Sequence, residues 1–197
     1  MASKRSPKQP PSVHQLKVTL LGLAPPIWRR IAVPSDFTLG DLHHVIQFAM
    51  GWEHSHLHDF RIGKVTYGDP DMLVEEDDED EWQAPLAQVV PRARRKFRYL
   101  YDFGDSWEHE IQVESVGPPN PETRYPVVLA GERACPPEDC GGVWGYVDLL
   151  EVLDDPNHPD YEERLEWMGG PIDPEAFDLK KVNKRLQGAL KFTWTRA

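Results

Sequence analysis

No run of about 18 apolar residues occurs in the chain, so no stretch of it is suited to cross a bilayer as a helix. Cysteine is scarce. Two residues, Cys135 and Cys140, stand among 197, too few for the disulfide framework of a small secreted protein. Bases are outnumbered by acids, 22 to 33, and the net charge of −11 excludes broad, sequence-independent DNA binding, which needs lysines and arginines to displace counterions. The phosphate-loop pattern G-x-x-x-x-G-K-[ST] is missing, and so is the D-x-[DN]-x-[DN]-G start of a calcium loop. Asp102-Phe103-Gly104 spells the metal-binding tripeptide of protein kinases, but no Gly-rich loop, V-A-I-K strand or H-R-D loop accompanies it, so the match is accidental. The first twelve residues, MASKRSPKQPPS, lack the apolar segment of a secretion signal and read as a disordered basic tail. The expected compartment is therefore the cytoplasm, with the two cysteines as reduced thiols or metal ligands.

What is present reads as one α+β domain over residues 13–190, with a short tail at 191–197. Val13 to Leu21 alternates with His14, Leu16, Val18 and Leu20 on a mostly apolar face. Ile27 to Val33 alternates likewise after the turn Ala24-Pro25-Pro26, which predicts an antiparallel pair. Thr38 followed by Asp41 is a capping-box start, and Leu39, Leu42, Val45, Ile46, Ala49 and Met50 mark one apolar helical face ending at Gly51. His43 and His44 within it read as partly exposed helix histidines. Trp52 to Ile62 reads as a strand with His54, His56, His58 and Phe60 on one face, and Lys64 to Tyr67 as its partner. This strand-strand-helix-strand-strand order resembles that of a β-grasp unit. Residues 69–81 hold nine acids in thirteen and read as a solvated loop, while residues 92–98 hold five bases in seven and read as a charged strand edge. Leu86 to Val90 reads as a short strand or helical turn.

The centre of the chain is Tyr99 to Glu114, YLYDFGDSWEHEIQVE. Tyr99, Tyr101 and Phe103 alternate, then Trp107, His109, Ile111 and Val113, around a turn rich in acids. The stretch LAGERACPPEDCGGVWGY, from Leu129, has no clear period and reads as an ordered irregular loop. Helices follow: one from Val147 to Leu153, one opened by Asp160 and running through Trp167, and a last one over about Leu179 to Leu190 that buries Leu179, Val182, Leu186 and Leu190.

Two chemistries fit these residues. His56 and His58, projecting from one strand face, together with His109, Cys135 and Cys140, offer the nitrogen and thiolate ligands that zinc accepts, and zinc is the candidate ion. Asp102, Asp105, Trp107, Glu138 and Asp139 form a candidate binding network. A carboxylate that holds an imidazole tautomer serves general acid-base chemistry, and equally an inert hydrogen-bond network.

Five segments, PPIWRR (25–30), TLGDLHHVIQFAMGW (38–52), HLHDFRIG (56–63), YDFGDSWEHEI (101–111) and AGERACPPEDCGGVWGYVDLLEVL (130–153), together resemble the plasmid open-reading-frame-three family, first named from a root-inducing plasmid. Its members are also labelled insertion-element passenger or resolvase-like proteins. The resemblance implies an α+β fold and an association with mobile elements, and it implies no assigned activity. Its hallmark segments map onto His56, His58, Asp102, Asp105, Trp107, His109, Pro136, Pro137, Glu138, Asp139, Gly141 and Gly142. A serine recombinase needs an activated serine among arginines and a basic recognition helix, which suits this acidic chain poorly. The expectation is a mobile-element accessory or binding protein that holds a metal, a protein or a small-molecule partner around the central hairpin. The alternative is a metal-dependent hydrolase-type enzyme built on the same residues.

Overall fold

Among the described residues eight strands join in one sheet, and across it, numbered along the chain, they run fifth, fourth, third, sixth, seventh, first, second and eighth; five helices accompany it. The computed structural model describes residues 10–71 and 78–193, those from 189 onward as backbone alone. Most of the N-terminal tail, the middle of the acidic segment, the side chain of Leu190 and the final residues lie outside the described part.

Strands β1 (Val13–Leu20) and β2 (Ile27–Pro34) form the expected antiparallel hairpin. Helix α1 (Leu39–Met50) starts as the sequence dictates. The Thr38 backbone N–H donates to the Asp41 carboxylate at 2.9 Å, and the Asp41 N–H returns to the Thr38 hydroxyl at 3.2 Å. Gly51 closes it in the left-handed conformation. Strands β3 (His58–Ile62), β4 (Val65–Gly68) and β5 (Glu79–Asp80) follow, the last parallel to β4. A 3-10 turn at Glu81–Gln83 and the short helix α2 (Leu86–Val89) lead to β6 (Lys96–Tyr101) and the long β7 (Trp107–Gly117). Then come β8 (Val127–Glu132), α3 (Gly142–Asp154), α4 (Tyr161–Met168) and α5 (Leu179–Thr193). Among the described residues no helix is long and apolar enough to cross a membrane.

The register places the chemistry. Tyr101 lies opposite both His58 and Trp107, and Tyr99 lies opposite both Phe60 and His109. His109 in turn faces Leu20 of β1. Side chains in register share a face, so His58, Tyr101 and Trp107 form one row, with Phe60, Tyr99, His109 and Leu20 in the next. This is the core face. Trp107, Tyr99, Tyr101 and Phe60 are all buried in it beside Trp52.

Four local expectations change. Residues 52–57 are not strand. His54 takes φ +61°, which breaks the extended run, and β3 starts only at His58. Residues 129–132, the start of the stretch read as irregular, belong to the edge strand β8 that pairs with β2, and α3 begins at Gly142, five residues before the expected Val147. Leu179 is exposed, not buried, in α5.

Candidate functional site

The hairpin turn between β6 and β7 and the loop before α3 meet the segment His54–Leu57, which crosses between them. Asp102 opens the turn at φ +58°. Its Oδ1 accepts backbone N–H bonds from Gly104 at 2.9 Å and Asp105 at 3.3 Å, as turn aspartates do, which leaves Oδ2 free to point elsewhere. Asp105 reaches the other way, its Oδ2 accepting from the Gly141 N–H at 3.1 Å. The two loops are pressed together: a Cβ on Gly142, itself at φ +69°, would lie 2.4 Å from the Asp105 carbonyl oxygen. This seats Asp139 over the turn. His56 completes the group, with Nε2 3.1 Å from Asp139 Oδ1 and 3.8 Å from Asp102 Oδ2. Neither approach has hydrogen-bond geometry, and His56 Nε2 is buried without a hydrogen-bond partner. The donor atoms of His56, Asp102 and Asp139 all lie within 4.8 Å of one another. Each comes from a different hallmark segment: H-L-H, D-F-G-D and P-P-E-D.

A second cluster sits deeper. His43, read from the sequence as partly exposed, is 1% exposed and stacks on His58 with ring centroids 3.5 Å apart. Its Nδ1 lies 2.7 Å from the Tyr99 hydroxyl, and its Nε2 contacts His54 Nδ1. Gln47 spans the chain: its Oε1 accepts from the His54 backbone N–H at 3.0 Å, and its Nε2 donates to the Tyr99 hydroxyl at 3.0 Å. These bonds settle the protons. Gln47 Nε2 can only donate, so the Tyr99 oxygen accepts from it. Among the described residues no other acceptor faces the buried phenolic proton, which assigns it to His43 Nδ1 and places the His43 proton on Nε2. Burial pushes the Tyr99 hydroxyl well above its ordinary pKa and His43 well below, with nearby His58, His54 and His44 adding repulsion to any charge on His43. Donor atoms of His43, His44 and His54 also fall within 4.8 Å of one another, but the His43 nitrogen that faces His54 is protonated in this network.

The five residues assigned to one metal are divided. His56 joins Asp102 and Asp139. His58, on a different course, places Nε2 2.9 Å from Glu81 Oε2, and both side chains are buried. Glu81 is thus no part of a merely solvated acidic loop. His109 is sealed beneath Tyr99 and Trp52, ring centroids 5.3 and 5.4 Å away. Desolvation lowers its pKa to about 4, although the backbone at Tyr99 and Trp107 acts to raise it, and neither nitrogen makes a hydrogen bond of good geometry. Cys135 and Cys140 are half-buried free thiols, each pushed up to about 12 chiefly by desolvation, which keeps them protonated at neutral pH. Among the described residues, neither cysteine belongs to a group of three or more potential ligands.

The remaining network residues brace the site. The Tyr101 hydroxyl donates to Glu138 Oε1 at 2.7 Å, and the same oxygen accepts the Glu53 N–H at 2.9 Å. The indole N–H of Trp52 donates to the Pro136 carbonyl at 3.0 Å. Trp107 packs 6.0 Å from Trp52. A cleft of about 770 Å³ opens beside the cluster, walled by residues that include His54, His56, His58, Asp59, Asp102 and Phe103. Sequence reasoning missed His43, Gln47 and His54. His43 stands four residues from both Leu39 and Gln47 and seven from Met50, a helical stripe that could have placed it on the buried face.

Fold and cleft together define an α+β protein with a large, mostly antiparallel sheet and a histidine–carboxylate site at one hairpin turn. The chain belongs to the plasmid pRiA4b ORF-3-like family, whose model matches residues 12–181. It is 42% identical over 187 residues to the uncharacterized protein y4hQ of Sinorhizobium fredii, covering 94% of this chain and 95% of that one. It is also similar to a solved structure, the protein of unknown function MM3350 from Methanosarcina mazei Go1, with 39% identity and a TM-score of 0.78 over 87% of this chain and 97% of the other.

Proposed function

We propose that this protein binds a divalent transition metal through His56, Asp102 and Asp139 and presents it to the adjoining cleft. The observation that carries the reading is the convergence of one donor from each of three separate segments, with none hydrogen-bonded to another. Asp102 and Asp139 bring like charges close together, and a cation between or beside them would relieve the repulsion. In this reading the cation is a metal that takes His56 and the two carboxylates as ligands. One imidazole and two carboxylates suit zinc, manganese or ferrous iron, and three protein ligands would leave coordination positions open. The trihistidine cluster is the weaker metal candidate because its Tyr99 bond protonates His43 Nε2.

The protein acts in this reading as an accessory module of a mobile element, supported by the plasmid in the family's description, and the cleft holds its protein or small-molecule partner. The open side of the cleft favours a second reading, metal-dependent hydrolysis, in which a metal-bound water would do the chemistry. Elemental mass spectrometry of protein dialysed against each metal tests the binding. About one equivalent is expected, lost in a folded His56→Ala variant and retained in Cys140→Ala. No retained metal in the wild type overturns the reading.

A further inference from the structure

We infer that His54 is a fixed, neutral hydrogen-bond donor into the cleft, and that the group it recognises is an uncharged carbonyl oxygen, as in an amide or ester. The proton positions are set from the core outward. Tyr99 donates to His43 Nδ1, so His43 Nε2 carries hydrogen and donates to His54 Nδ1. A neutral imidazole that accepts at Nδ1 is protonated at Nε2. His54 is exposed and lines the cleft, and among the described residues nothing hydrogen-bonds its Nε2. The cleft therefore receives an N–H from a ring whose tautomer is set by groups buried behind it.

This arrangement neither supplies nor removes a proton. Protonating His54 would set an Nδ1–H against the His43 Nε2–H. Taking the Nε2 proton would leave an imidazolate, which Tyr99 could relieve only by becoming a buried phenolate. A neutral N–H held in this way orients and polarises an oxygen acceptor. The walls select which acceptor. Asp69, Asp78 and Asp102 oppose anions, and Arg61 and Asp59 are paired with each other at 2.8 Å. Leu57 and Phe103, 39% and 42% exposed, offer apolar surface for a flank.

The inference rests on the cleft and not on the metal reading, so it is tested on chelator-treated full-length protein. Long-range nitrogen–proton correlation spectra of histidine-labelled protein are expected to place both His43 and His54 in the Nε2–H form. Benzamide should shift the His54 signals and bind about tenfold more tightly than benzoate, a shape match that differs in charge, and His54→Leu should abolish this difference. Finding His43 in the Nδ1–H form overturns the proposal. So does capture of His43, His44 and His54 by added zinc, which would make them a trihistidine metal site. Benzoate binding as tightly as benzamide, or no effect of benzamide on His54, overturns it as well. Loss of metal binding at His56 alone leaves it standing.

Discussion

Two histidine regions at the β6–β7 hairpin behave oppositely. His109 is closed in by Trp52 and Tyr99, makes no hydrogen bond of good geometry, and is held neutral by desolvation. His56, at the hairpin turn, meets two carboxylates beside a cleft. Both follow aromatic strand signals in the sequence, and both are chemically able to bind metal. The difference lies in what surrounds them. Strand register buries His109 among rings, whereas left-handed residues at His54, Asp102 and Asp139 turn the backbone outward around His56. The core face should therefore govern stability, and the turn should govern binding.

The largest test of that division is Trp107→Ala. Removing a fully buried indole should cost about 3–5 kcal/mol in urea unfolding, whereas His56→Ala should leave the urea midpoint nearly unchanged while abolishing metal binding. Equal losses of stability from the two would break the comparison.

Acid should act through the buried side. The folded-state pKa of His109 lies near 4, below its ordinary 6.5, so the unfolded chain binds the proton more readily. The resulting stability is present above pH 6.5 and is lost as pH falls toward 4, by about 3 kcal/mol. His43, also lowered, adds loss in the same direction. Denaturant unfolding between pH 7 and 4 measures the slope, and His109→Leu should flatten it while changing stability at pH 7 by less than about 1 kcal/mol.

Gly142→Ala probes the junction of the two regions. The new Cβ would meet the Asp105 carbonyl in a left-handed conformation, so a loss of about 1–3 kcal/mol is expected, with weakened metal affinity as Asp139 is displaced. Calorimetric titration reads the affinity, and an unchanged value would detach Asp139 from the site. The smallest effect is Thr38→Ala, which removes the α1 cap: about 1 kcal/mol of stability should go, with metal binding intact.

Much of this architecture was legible because local signals agreed with tertiary placement. The Thr38–Asp41 box and the 3.6-residue stripe marked α1, and period-two aromatics marked β6 and β7. The same rule misled at residues 54–58, where H-x-H-x-H imitates a strand although His54 sits in a left-handed turn. The edge strand β8 escaped because V-V-L-A-G-E does not alternate, and it pairs on one side only, with a register shift opposite Arg30 and Ile31. At the site, His56, Asp102 and Asp139 were each recognisable as candidates, but their meeting depends on loop packing that no spacing encodes. His58 stands two residues from His56 and His109 seven from Asp102, yet the core claims both.

The last helix bears on the cleft without lining it. Arg185 donates to the carbonyls of Gly51 at 2.8 Å and Trp52 at 3.0 Å, where α1 ends and the chain sets off toward His54. A guanidinium at that point caps the negative end of α1 and clasps the first link of the segment that carries His54 and His56. The family match ends at residue 181, four positions earlier. A chain trimmed to that limit would keep every wall of the cleft and lose the clasp, so its histidines would be tethered at one end only.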